Sequence, residues 1–272
     1  MNNALNFSAK RSDSAIRVLT LFFSLCVLAL SAPKYLHIYG EYDKRLKPYP
    51  HATWLYNQAV ERNNTDAAFD LASFYRRMLK DYPKAIELFT KVYEQSGYKD
   101  GGAAYSLGLV YKQQLEDYEN AEKWYKIAYK LGDKDAAFAL GILYADILKD
   151  YPKTIEWYKI AHNKGDKNAA YSLGLVYKQQ LQDYENAEKW YKIAYNQGDY
   201  KGIQALSVLY HDQYNDKVTA GAYQLGLIGK YSKEEIIGGL KSDWNLTSDE
   251  LKQAYKLHQT LDLPKHYNGG ID

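Results

Sequence analysis

Residues Ala103 to Tyr129 read AAYSLGLVYKQQLEDYENAEKWYKIAY, and the stretch returns at Ala169 to Tyr195 with one difference, Glu116 becoming Gln182. Between the two lies a looser copy, AAFALGILYADILKDYPKTIEWYKIAH, from Ala136 to His162. Leu107, Leu140, Leu173 and Leu206 are each 33 positions apart, as are Trp124, Trp157 and Trp190. Self-similarity at a period of about 20 to 50 residues marks an array of stacked structural units. Such an array grows along one axis instead of around a single core.

Inside each copy the apolar positions follow a helical period twice. Ala104, Leu107, Gly108 and Tyr111 recur at i, i+3, i+4 and i+7, one stripe of a first helix. Gly108 lowers helix propensity, so its return at Gly141 and Gly174 predicts close approach of a neighbouring helix. Asp117, Asp150 and Asp183 are good N-caps for a second helix. Pro83 and Pro152 fit its first turn, where a missing N–H does no harm. Ala121, Trp124, Tyr125 and Ala128 are expected to form its buried stripe, and Gly132, Gly165 and Gly198 its left-handed C-cap. The fold class is therefore all-α, an α/α superhelix expected to be a right-handed solenoid of helix-turn-helix repeats, with an N-terminal apolar helix ahead of it.

Working outward, the array occupies residues 54–230: an opening half repeat from Trp54, a full repeat from Ala67, three from Ala103, Ala136 and Ala169, and a degenerate one from Gly202. The Ala67 repeat has 36 residues, the additional three falling in its exit turn, SGYKDGG. Residues 231–272 should hold capping helices and a tail. Ser232 to Glu235 and Thr247 to Glu250 each have capping-box spacing. Residues 33–53 show no clean period and read as a linker.

Residues 1–32 read as a signal peptide or an N-terminal membrane anchor. Lys10, Arg11 and Arg17 precede an apolar run from Val18 to Ala32. Such a run spans about 22 Å as helix, short of the roughly 30 Å hydrocarbon core. That length favours a signal segment, and the leading basic residues also suit an anchor held on the cytoplasmic side. Export to the periplasm, or an inner-membrane anchor facing it, is the expectation, with secretion second. Cys26, the one cysteine, lies inside this run in a poor lipobox, so the remainder has no disulfide framework.

Chemistry is not nominated anywhere. The six histidines, His37, His51, His162, His211, His258 and His266, show no metal-ligand spacing with one another or with Asp and Glu. Phosphate loops, dinucleotide fingerprints and nucleophile elbows are missing from the sequence. No catalytic residue, cofactor or metal is assigned, and a net charge of +2 gives no reason to expect nucleic acid.

The order alanine, Leu107-Gly108, Tyr111, Asp117-Tyr118, Ala121, Trp124-Tyr125, Ala128, Gly132 resembles the Sel-1-like repeat (SLR) family, relatives of the tetratricopeptide repeat. Two departures stand out. The loop between the helices, KQQLED, is three residues shorter than the family's glycine-containing loop. The cysteines of the secreted relatives linked to β-lactam hydrolysis are also missing. The resemblance implies a protein–protein interaction scaffold or adaptor without catalysis, membrane-bound only through an uncleaved N-terminal segment. A β-lactam-binding or cell-wall hydrolase, or a secreted effector or immunity-type protein, is the alternative. By analogy with tetratricopeptide arrays the concave face would present Phe69, Arg76, Tyr105, Lys112, Phe138, Tyr171 and Lys178 to a protein or peptide partner. One aromatic per repeat with intermittent cations suits an extended peptide carrying apolar and acidic groups.

Overall fold

A computed structural model describes residues 43–261. The expected signal or anchor with its apolar run Val18–Ala32, and the tail beyond Leu261, lie outside the described residues. Thirteen α-helices and no β-strand occur among the described residues. No helix among them is long and apolar enough to cross a membrane. The helices fall in two compact units that divide after Leu131.

In the first unit a short 3₁₀ turn, Lys44–Leu46, leads into α1 (Pro50–Arg62). Two hairpins follow: α2 (Thr65–Phe74) with α3 (Tyr82–Gln95), and α4 (Gly101–Gln114) with α5 (Tyr118–Lys130). The core joins Leu55, Leu71, Leu88, Phe89, Leu107 and Val110. Helix α1 begins at Pro50 and buries Ala52, and Leu46 is fully buried. The array therefore starts inside the stretch read as linker: a few apolar contacts anchor residues whose sequence is too short to show a period. Arg45 fastens this entry by pairing with Asp43 at 2.6 Å and Asp81 at 2.5 Å. The buried Tyr75 donates its hydroxyl to Asp43 at 3.1 Å.

The second unit contains α6 (Ala136–Ile142), α7 (Tyr151–Asn163), α8 (Ala169–Gln179), α9 (Tyr184–Asn196), α10 (Tyr200–Asp212) and α11 (Lys217–Leu225). Helices α12 (Lys233–Ser242) and α13 (Ser248–His258) close it, α13 packing on α11. Leu225, Leu240, Leu246, Leu251 and Ala254 supply the joint core of the closing helices. Both capping boxes are made: Glu235 and Glu250 each accept a hydrogen bond from the backbone N–H of Ser232 and Thr247.

Local chemistry explains the hairpins. Asp117, Asp150 and Asp183 accept from the backbone N–H of Asn120, Lys153 and Asn186 at 3.0–3.1 Å. The end of each first helix turns through a left-handed residue: Lys80, Glu116, Lys149, Gln182 and Asn215, with φ between 52° and 54°. The next residue, an aspartate, donates its N–H back six positions, as Asp117 does to Tyr111 at 3.0 Å and Asp183 to Tyr177 at 2.9 Å. This closure is one residue wider than the Schellman 6→1 bond, in keeping with the π-helical last turns Tyr75–Leu79 and Leu143–Leu148, and it lets one left-handed residue turn the chain without the longer glycine loop.

The second-helix stripe differs from expectation in one respect. Tyr125 and Tyr191 are fully buried and Tyr158 nearly so, whereas Trp124, Trp157 and Trp190 are half-buried. Trp124 sits edge-on to Tyr93, with ring centroids 5.4 Å apart. Tyr111 of the first helix is likewise half-buried. The deep position goes to tyrosine because the facing helix has a glycine notch for it.

Candidate partner-binding face

A methyl group at Gly108, Gly141 or Gly174 would come within 2.3–2.5 Å of Cδ1 of Tyr125, Tyr158 or Tyr191. Each second helix thus lays a phenol ring flat across the first helix's backbone. The partners change together: the first full repeat has Ala72 with Phe89, and the degenerate one has Ser207, whose hydroxyl instead donates to the Ala220 carbonyl at 2.8 Å.

Over the far side of each ring lies one of the aromatics expected on the binding face. Tyr105 is centred 5.6 Å from Tyr125, Phe138 5.2 Å from Tyr158 and Tyr171 5.9 Å from Tyr191, all tilted by 32–42°. Phe69 meets Phe89 edge-on at 5.2 Å. All four outer aromatics are half-buried, with one ring surface committed to the hairpin beneath. They pack on the second helix of their own repeat and do not simply wedge between repeats. Lys112 and Lys178 are half-buried on α4 and α8, one turn beyond Leu109 and Leu175.

Arg76 stands at the end of the first hairpin, near enough to Tyr105 and Tyr125 to feel both phenols. Burial, with Arg77 adding repulsion, pulls its guanidinium below the ordinary value. Its Nε and the Tyr125 hydroxyl are buried without a hydrogen-bond partner. Tyr191 repeats the pattern in the second unit, its hydroxyl equally unpartnered. Burial raises both phenols well above the usual tyrosine range.

Two hollows open along the first-helix face of the second unit, and Leu175 lines both. The smaller, 150 Å³, is bordered by Ala145, Asp146, Lys149, Tyr158, Ser172 and Gln179. The larger, 240 Å³, is bordered by Tyr171, Lys178, Tyr191, Lys201, Gln204 and Val208. Lys201, whose ammonium lies 5.7 Å from the Tyr171 ring centre, was not among the expected binding residues. It comes from the start of the next helix, and only the hairpin-to-hairpin packing brings it here. Its sequence signal was faint: the equivalent position in the two preceding repeats is Asp135 or Asn168.

Among the described residues no group of three His, Cys, Asp or Glu side chains could hold a metal ion. His162 lies edge-on to Trp190, His211 stacks on Trp244, and His258 is buried against the Ala222 carbonyl.

Comparison with known proteins agrees with this architecture. The family model described as Sel1 repeat matches residues 65–96, 99–133, 134–166 and 167–199. No curated protein matches the chain. Among solved structures, a protective antigen of uropathogenic Escherichia coli strains with an SLR fold is 26% identical, with a TM-score of 0.54. That similarity covers 75% of this chain and 47% of the antigen, so the chain spans about half of its relative's length. A Sel1 repeat protein from Oxalobacter formigenes is 23% identical over 58% of this chain and 66% of its own, at a TM-score of 0.44. An immunity protein from Pseudomonas aeruginosa is 21% identical over 81% of this chain and 76% of its own, at 0.39.

Proposed function

The chain is a Sel1-repeat protein over residues 65–199, and from that premise we propose a non-catalytic scaffold that holds an extended polypeptide along its first-helix face. One observation carries the reading. Repeat after repeat, a half-exposed aromatic (Phe69, Tyr105, Phe138, Tyr171) is held at the same height by a buried ring beneath it. Rings fixed in this way meet a partner with little further loss of side-chain entropy, which is what makes aromatic anchors effective. Phe69, Arg76, Tyr105 and Lys112 serve the first unit, and Phe138, Tyr171 and Lys178 the second.

The order of polar and apolar groups supports an extended ligand. Leu175 lies between a hollow holding Asp146, Lys149 and Gln179 and one holding two lysines and no acid, so successive side chains of a bound strand would meet different chemistry. The opposite faces of the second helices carry ordinary i,i+4 pairs such as Lys91 with Glu87 and Lys192 with Glu188. Half-buried pairs of that kind add little binding energy.

The basic residues before the apolar Val18–Ala32 run support a location outside the cytoplasm. A reporter fused after Pro50, active only when exported, checks that reading; activity confined to the cytoplasm refutes it.

Photo-crosslinking in cells tests the binding face, with a probe at Tyr105 and a control at Lys123, exposed on α5. A discrete protein captured from Tyr105 alone is expected, and equal diffuse capture from both sites refutes the face. Turnover of a chromogenic β-lactam that survives repurification would refute the non-catalytic reading.

A further inference from the structure

The larger of the two first-helix hollows in the second unit holds two lysines and no carboxylate, whereas its neighbour holds Lys149 together with Asp146. Lys178 enters from α8 and Lys201 from α10, while Leu175, Ala205 and Val208 form an apolar floor. Among the described residues no carboxylate pairs with either lysine. The nearby acid, Asp199, is engaged in capping α10, where it accepts from the Lys201 backbone N–H at 3.0 Å. Tyr191 completes the lining. The ring is fully buried, and its hydroxyl, also buried, has no hydrogen-bond partner. A buried polar group left without a partner is destabilising, so an unsatisfied phenol in the wall of a hollow that also holds two lysines without a carboxylate needs an explanation.

We propose that this hollow binds the side-chain carboxylate of a glutamate or aspartate carried by the extended polypeptide. Lys178 and Lys201 supply two charge-assisted contacts and the Tyr191 hydroxyl a third donor. The floor of Leu175, Ala205 and Val208 takes the methylenes beneath the carboxylate. An internal side chain is chosen over a chain end because a second hollow adjoins this one along the face, with Leu175 lining both. A strand lying across both passes through without ending there. This inference rests on the first-helix face being the binding face.

The test uses the full chain and calorimetric titration with a peptide of alternating Glu and Val, acetylated and amidated so that no terminal charge remains. A Gln/Val peptide is its neutral counterpart. We expect the Glu peptide to bind at least about tenfold more tightly, a preference that weakens as salt is raised. Lys178→Met/Lys201→Met should erase that preference, so that the Glu and Gln peptides bind this variant equally. Tyr191→Phe should weaken the Glu peptide about threefold while raising the denaturation midpoint, because removal of an unsatisfied hydroxyl relieves the folded state. A phenol serving packing alone, or satisfied by water, would not lower affinity.

A photo-probe at Leu175 separates the carboxylate site from the binding face. Equal binding of both peptides, both captured at Leu175, overturns the carboxylate site and keeps the binding face. Binding without capture at Leu175 overturns both. No binding of the Glu peptide, or a Glu preference indifferent to the lysine pair, overturns the carboxylate site.

Discussion

Replacing Gly174 by alanine puts two effects in opposition. In an unconstrained helix the change stabilises by about 1 kcal/mol, alanine being the better helix former. Here the new methyl would stand 2.4 Å from both Cδ1 and Cε1 of Tyr191, roughly 1 Å inside ordinary van der Waals contact. Tyr191 is fully buried with Tyr171 packed over its ring, so it can shift only by displacing its neighbours. Overpacking of a close-packed core costs about 1–3 kcal/mol, and a displaced aromatic ring belongs at the upper end. Subtracting the propensity gain leaves a net loss of about 2 kcal/mol. Urea denaturation followed by circular dichroism reads it directly as a lower midpoint. The double variant Gly174→Ala/Tyr191→Leu supplies the control: with the ring gone the methyl has room, so the two changes should fall short of additivity by at least about 1 kcal/mol. A midpoint for Gly174→Ala equal to or above that of the parent would mean that the ring does not lie across the helix backbone and that no glycine notch receives it.

The geometry sets three further outcomes. Gly238 lies in α12, and a methyl group added there would meet nothing within 4 Å, so Gly238→Ala should stabilise by about 0.5–1 kcal/mol in the same assay; a loss would contradict the open surface. Glu116 is exposed and left-handed at φ 53°, and Glu116→Gly should raise stability by about 0.5–1 kcal/mol through relief of Cβ crowding, whereas no gain would place the residue in ordinary helical backbone. Stability should also fall with acid in two stages. Burial outweighs the Ala222 carbonyl contact and pushes the His258 imidazole down, so the unfolded chain takes up that proton first. Stability is then whole above about pH 6.5 and declines below it, and His258→Gln should remove this first stage. Hydrogen bonds from Asn120, Lys153 and Asn186 hold the Asp117, Asp150 and Asp183 carboxyls low. Their contribution is present above the unfolded value near pH 4 and is lost as pH falls through the folded ones. A midpoint flat from pH 7 to 3 would refute both stages.

Features encoded within a few residues were readable from the chain. The aspartate caps, the capping boxes at Ser232 and Thr247, and the glycines ending the second helices each depend on a near neighbour, so spacing alone identifies them. The repeat period supplied the rest of the helix order. The deep position of Tyr125 was harder, because Trp124 and Tyr125 are adjacent on one stripe and only the facing Gly108 decides between them. The hint was present as a glycine and a tyrosine 17 positions apart in three successive repeats. The outer aromatics could be named from sequence, whereas the Lys201 contribution to the larger hollow could not. It depends on how one hairpin meets the next, and that packing leaves no trace in local spacing.

A ring seated in a backbone notch also has a mechanical meaning. It works as a key in a keyway: helix α8 cannot slide along α9, nor roll about its own axis, without driving Cα of Gly174 into the Tyr191 ring. Each hairpin so keyed is a stiff element, and the compliance of the chain is left to the joints where one hairpin meets the next. Pulled from its ends, such a chain should therefore yield in discrete steps of one hairpin, each step marking the withdrawal of a tyrosine from its glycine.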